Sequence, residues 1–251
     1  MKSADLTVAI GLSQGYRDLL RVCLSTIPAE VRKVISWYGP GEPEELPPNT
    51  VLVRPRRHSD NYMRGYVMNV AIRAVDTPYV LLGDADLAFP RYLVDVLSPT
   101  LAQVLRFYVG RVTPSATREI LSGVPWETLF ADSQGQHNRV FRLLYGPHNP
   151  CLYPTHALHQ LRGYDESFVG WGREDDDLSA RGRQLGLCDV REPLIVARLD
   201  DSDIHDYASY ERGTVAPINA ALWTLTEPRI VNMTGWGDRD SKSDACATVQ
   251  D

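Results

Sequence analysis

The sequence predicts an α/β domain built on a mainly parallel central sheet flanked by helices. Three observations lead there. Short apolar runs of strand length alternate with segments of helical spacing, and only a few turn residues separate them. At 251 residues the chain has the size of one domain with a sizeable core. Its composition, 43% hydrophobic and 23% charged, is that of an ordinary globular protein.

The elements follow in order. Residues 6–10 form a continuous apolar run suited to a buried strand, and residues 16–26 follow with Leu19, Leu20, Val22 and Cys23 at helical spacing. Residues 34–37 read as a second strand, closed by the turn-rich GPGEPEELPP, and residues 50–53 as a third. A helix is expected over 61–74, and a fourth strand over 79–82 runs into Gly83-Asp84-Ala85-Asp86. Beyond it the pattern gives a helix within 90–103, a strand over 105–112 and a partly helical insertion from 113 to about 146. A helix over 175–185, a strand over 194–199 and a largely helical 207–226 complete the series. The closing GWGDRDSKSDACATVQD is polar and rich in Gly, Asp and Ser, so residues 236–251 are expected to form a loose tail.

The bulk numbers narrow the function classes. Net charge is −6 and the basic residues are scattered, which argues against a protein that neutralises nucleic-acid phosphates along a basic face. A small phosphorylated ligand remains compatible, because one metal ion supplies the missing positive charge. Cys23, Cys151, Cys188 and Cys246 share no CxxC spacing and read as reduced thiols. No segment approaches a membrane span, and the N-terminus is too short and interrupted for a signal peptide. A cytoplasmic protein is expected.

Two constellations carry chemistry. Asp84 and Asp86 lie just past a strand end, where α/β sheets bind ligands. Carboxylates one residue apart at such a point can share a hard divalent cation, which in turn neutralises a diphosphate. Asp-x-Asp alone is a weak signal that turns up by chance in many loops, and its recurrence within Asp200–Asp203 shows how common it is. The preceding strand and the apolar Leu87-Ala88-Phe89-Pro90 give this copy its weight. The second constellation is GYDESFVGWGREDDDLSARGRQLG, residues 163–186. Helix capping explains one or two acids at a helix start, not the four from Glu174 to Asp177. Adjacent acids raise one another's proton affinity, which suits a general base. Trp171 offers a flat surface on which a sugar ring can stack, or alternatively a core side chain.

Gly170-Trp171-Gly172-Arg173-Glu174-Asp175-Asp176-Asp177 resembles the Gly-Trp-Gly-Gly-Glu-Asp-Asp-Asp motif of the β-1,4-galactosyltransferase family, departing at Arg173. Residues 62–70, YMRGYVMNV, are similar to that family's Phe-Asn-Arg-Ala-Lys-Leu-Leu-Asn-Val helix, and Asp84-Ala85-Asp86 stands where it has Asp-Val-Asp. The resemblance implies a GT-A fold over residues 1–235. About 1–105 would form the nucleotide-sugar half and about 106–235 the acceptor half. It implies Asp175 as general base, and Asp84, Asp86 and His205 around Mn2+ or Mg2+. On the donor side it implies Arg64, Tyr62, Asp84, Trp171 and the Gly11–Ser13 loop, and on the acceptor side Glu174, Asp176 and Trp171.

The departures are specific. Gly11-Leu12-Ser13 replaces the family's Pro-Phe-Arg, and about Ser202 replaces its metal-binding methionine, leaving an oxygen-rich shell. No counterpart of the family's anchor and stem is expected. The expected reaction is inverting transfer of a galactose-, N-acetylgalactosamine- or glucose-type sugar from a UDP-sugar. The acceptor hydroxyl belongs to a glycan, protein, lipid or small molecule. The rivals are a retaining N-acetylgalactosaminyltransferase-like enzyme, whose motif has asparagine where Asp175 stands, and a non-catalytic carbohydrate-binding or inactive protein. A nucleotidyltransferase would need a lysine-bearing phosphate loop, and only Lys2, Lys33 and Lys242 are present.

Overall fold

The computed structural model describes residues 1–41, 43, 45–57, 62–126, 128, 140–144, 150–170, 172–199, 219 and 231–238. Strand β1 (Leu6–Ser13) is buried along almost its whole length. It pairs in parallel with β2 (Arg32–Tyr38) on one side and with β4 (Tyr79–Gly83) on the other, while β3 (Thr50–Val53) continues the parallel block beyond β2. Leu6, Val8, Ile10 and Leu12 enter one core cluster and Ala9 enters the other, so both faces are covered. That is why the strand reads as an unbroken apolar run rather than an alternating one. Chain order reverses across β1, with β2 and β3 to one side and β4 to the other. Ligands bind outside the carboxyl ends of strands at such a switch point, and the ends here are Ser13 and Gly83.

Past β4 the pairing becomes mixed. Strand β8 (Cys151–Pro154) runs antiparallel to both β4 and β6 (Gln103–Val112). Strand β9 (Cys188–Arg198) is parallel to β6, and β5 (Leu87–Ala88) closes the series antiparallel to β9. Strand β7 (Val140–Leu144) pairs with β6 off the main path. Strands β4 and β5 are neighbours in sequence but stand at opposite ends of the path β4-β8-β6-β9-β5. The sheet therefore curls until both ends meet at the Asp84–Asp86 loop.

The helices cover the curl. Helix α1 (Arg17–Thr26) packs Leu20, Cys23 and Leu24 on one face of the sheet. Helix α2 (Arg64–Ile72) is buried on every side and lies against β1 and β2. A Cβ on Gly11 would stand 2.8 Å from Met68 Sδ, so glycine there allows α2 to approach the strand. Helices α3 (Leu93–Val96), α4 (Pro114–Leu121), α5 (Thr155–Leu161) and α6 (Glu174–Gln184) complete the described set.

The helix expected within 90–103 is a single turn, because Pro99 biases Ser98 away from helical geometry and the chain is extended from Leu97. Residues 207–226, apart from Asn219, lie outside the described residues. Within 236–251 the described part is held in place. Arg73 donates to the Trp236 carbonyl at 2.8 Å, and the Tyr66 hydroxyl donates to the Asp238 carbonyl at 2.8 Å. Among the described residues no helix is long and apolar enough to cross a membrane.

Candidate active site

The site forms where α2, the β4–β5 loop and the start of α6 meet. Met63 makes a parallel β-bridge with Gly170, which brings the start of α2 beside the Gly-Trp-Gly turn. Asn69, one turn further along α2, accepts from the Tyr164 amide at 2.7 Å and donates to the Tyr164 carbonyl at 2.9 Å. Gly163 has φ +63°, and a Cβ there would stand 2.0 Å from Asn69 Oδ1. Glycine is therefore required for this junction. Asn219 secures the other side, donating to the carbonyls of Val169 and Gly172 at 2.8 and 3.0 Å.

Arg64 is the hub. Its guanidinium donates to Asp84 Oδ1 at 2.8 Å, to Glu174 Oε1 at 3.0 Å and to Asp175 Oδ1 at 3.1 Å, although the residue is only 6% exposed. Burial works against its charge, but Asp175 and Asp84 outweigh that and keep it ionised. Its guanidinium also lies 5.7 Å from the centre of the Tyr164 ring. The motifs legible in the sequence, separated by some ninety residues, are thus tied through one side chain.

The four acids that open α6 have different surroundings. Glu174 is 2% exposed and accepts from the Gly172 amide at 2.7 Å as well as from Arg64. Its carboxyl is pushed up to about 7, chiefly by burial and further by Asp175, against the opposing effect of Arg64. Asp175 keeps a side-chain exposure of 14% and accepts from the Tyr164 hydroxyl at 3.1 Å. Asp176 pairs at the surface with Arg173 at 3.0 Å. Asp177 turns away into a buried pair with Arg181 at 2.8 Å, and Arg181 also holds the Leu161 and Gly163 carbonyls. Asp177 and Arg181 therefore secure the helix to its neighbours, while Asp175 stays partly exposed between Arg64 and Tyr164.

Across the cleft, Arg198 at the end of β9 donates to Asp84 Oδ2 at 2.7 Å and lies 3.6 Å from Asp86 Oδ2. Sequence reasoning missed Arg198, although it is the one charged residue in the otherwise apolar 194–199 run. It missed Tyr164 as well. Cys23 backs the loop from α1, its thiol 3.7 Å from the Asp84 carbonyl. Burial, then Asp86 and Asp84, push that thiol's pKa up, so it is a neutral packing group.

Of the other expected residues, Tyr62 lies edge-on to Tyr38, the last residue of β2, with ring centres 5.8 Å apart. Ser13 is opposite Tyr38 in the β1–β2 register, so Tyr62 and Ser13 belong to the same end of the sheet. Gly11 is buried beneath Met68. Trp171 and His205 lie outside the described residues.

Asp84 and Asp86 present hard carboxylate oxygens that converge on one cationic group, Arg198. That donor chemistry fits manganese or magnesium. Among the described residues no three His, Cys, Asp or Glu side chains are grouped to hold a metal ion. A complete shell would therefore draw on donor phosphates or on residues outside the described set.

Comparison with known proteins bears on this geometry. Residues 151–211 match the family model for the N-terminal domain of galactosyltransferase, a quarter of the chain that includes Tyr164, Glu174–Asp177 and Arg198. No curated protein sequence matches the chain. Among solved structures, S. aureus TarS is 14% identical and superposes with a TM-score of 0.55 over 84% of this chain and 66% of that one. GalNAc-T7, solved with UDP, GalNAc and Mn2+, is 11% identical with a TM-score of 0.53 over 78% of this chain and 44% of that one. A mutant of Drosophila β1,4-galactosyltransferase 7, with manganese, UDP-Gal and xylobiose, is 15% identical with a TM-score of 0.42, over 74% of this chain and 63% of that one. The chain spans less than two thirds of the length of each of these neighbours. The fold is the mixed α/β GT-A type, with a curled sheet flanked by helices.

Proposed function

We propose that this chain is a metal-dependent glycosyltransferase that moves a sugar from a UDP-sugar donor to an acceptor hydroxyl with inversion at the anomeric carbon. The observation that carries the reading is the Arg64 hub. It places the Asp84–Asp86 pair at the switch point of a GT-A sheet, one guanidinium away from Asp175. The family match over the acidic helix supports it, as do the nucleotide and manganese in the GalNAc-T7 structure.

In this reading Asp175 accepts the proton of the acceptor hydroxyl as that oxygen attacks the anomeric carbon from the face opposite the leaving group. The bond from the anomeric carbon to the diphosphate oxygen breaks, and its electron pair leaves with the nucleotide. The Tyr164 hydroxyl and Arg64 both hold Asp175 Oδ1 and fix the orientation of its carboxylate. Glu174 and Asp176 flank the acceptor, and Tyr62 and Ser13 line the donor end. Asp84 and Asp86, with His205, would hold manganese or magnesium. The ion would supply Lewis-acid stabilisation of charge on the departing diphosphate. Trp171 would offer the sugar-stacking surface.

The test is a screen of nucleotide sugars against the purified chain, with thermal stabilisation and donor hydrolysis as readouts. Stabilisation by UDP-sugars in Mn2+, lost in chelator and regained on adding Mn2+, is expected. Full donor turnover after exhaustive chelation rules out the metal-dependent mechanism. No response to any nucleotide sugar favours a non-catalytic protein.

A further inference from the structure

Arg198 is built into the site rather than draped over it. Its backbone pairs with Leu87 in the β5–β9 ladder, and the next amide, Leu199, donates to the Asp86 carbonyl at 2.8 Å. The sheet's closure therefore fixes the Arg198 Cα beside the Asp84–Asp86 loop. Its side chain is 19% exposed, so it reaches the cleft surface.

Among the described residues, Asp84, Asp86, Glu174 and Asp175 share the guanidiniums of Arg64 and Arg198. The adjoining Asp176 and Asp177 pair instead with Arg173 and Arg181. The Asp84–Asp86 pair is where the reading above puts a divalent cation. The carboxylates that would take it are already engaged by Arg198, and Asp84 holds Arg64 as well.

We propose that Arg198 competes with the divalent cation for the Asp84–Asp86 pair, holding the carboxylates together until the ion arrives and then turning its guanidinium to the donor's diphosphate. The inference rests on the glycosyltransferase reading above. The long arm and planar fork of arginine suit both tasks, since carboxylate and phosphate present the same paired oxygens. A fixed Cα lets one side chain exchange partners without rebuilding the loop. The arrangement keeps the acids from repelling one another in the empty protein and supplies a positive group once nucleotide is bound.

The test uses the whole chain, free of nucleotide, titrated with MnCl2 while unbound Mn2+ is read by electron paramagnetic resonance. Arg198→Gln is expected to take up Mn2+ roughly tenfold more tightly than the wild type, because one positive charge at contact distance is gone. Arg198→Lys, which keeps the charge, is expected to stay near the wild type. With Mn2+ saturating, UDP is expected to bind Arg198→Gln several-fold more weakly by calorimetry. A thermal melt serves as the folding check, and Mn2+ is expected to raise the melting temperature of Arg198→Gln more than that of the wild type. Equal or weaker Mn2+ affinity in Arg198→Gln overturns the competition, and unchanged UDP affinity overturns the diphosphate contact. Mn2+ uptake by neither wild type nor variant overturns the metal centre itself, which separates failure of the functional reading from failure of the role given to Arg198.

Discussion

Arg64 and Asp84 meet at 2.8 Å across the gap between α2 and the end of β4, and the same guanidinium continues to Glu174 and Asp175 on α6. One buried side chain thus joins three elements that carry the proposed chemistry. Its removal leaves three carboxylates without their shared counter-ion.

Arg64→Ala is therefore expected to destabilise the protein by about 3–5 kcal/mol, the usual cost of breaking a buried ion pair from one side. Urea denaturation of wild type and variant measures it. In any folded fraction, UDP affinity by calorimetry is also expected to fall. A loss of stability under about 1 kcal/mol would mean that solvent reaches the cluster and screens it.

Glu174 gives a pH dependence with a definite sign. Its carboxyl is held up to about 7 in the folded chain, above the ordinary 4.5, mainly by burial. The folded state then binds more protons than the unfolded state between those values. Stability from this group is present below pH 4.5 and is lost as pH rises through about 7. Glu174→Gln removes the titration, so the difference in unfolding free energy between variant and wild type is expected to shift toward the variant across that window. A difference independent of pH contradicts the assignment.

Much of this site was legible before the fold was known, and the exceptions share a cause. The β4 run and the Asp84-Ala85-Asp86 that follows it are a local pattern, as are the acids opening α6, and the structure brings these segments together. Arg198 was hidden because its placement depends on β5 closing onto β9, a pairing between residues more than a hundred positions apart. Tyr164 was read only as part of a motif, since its hydroxyl acquires a partner only when the 163–170 turn folds back over α2. Arg64 was read as a donor-side residue from a resemblance, and its tie to Glu174 and Asp175 had no local signature. The helix expected within 90–103 is there but is one turn long, and Pro99 is the local signal that limits it.

Tyr164 is expected to act as a positioning residue for Asp175, since its hydroxyl donates to the same oxygen that Arg64 holds. Tyr164→Phe deletes one hydrogen bond to a charged group, worth about 1.5–3 kcal/mol, and keeps the buried ring. Turnover is expected to drop by roughly 10- to 100-fold at unchanged donor affinity. Turnover equal to that of the wild type would show that the hydroxyl only packs.

The central claim is that Asp175, alone among the four acids of α6, takes the proton in flight. Steady-state turnover of Asp175→Asn against Asp177→Asn, with the same UDP-sugar and acceptor, tests it most directly. Asparagine keeps the shape and hydrogen-bonding reach of aspartate but cannot accept that proton. Asp175→Asn is expected to lose roughly 10²–10⁴-fold in turnover while UDP binding and the melting temperature stay near wild type. Asp177→Asn leaves Arg181 without its buried partner, so its cost is expected in the melting temperature, with turnover per folded molecule largely kept. Near-normal turnover in Asp175→Asn, or an equal loss in both variants, contradicts the account.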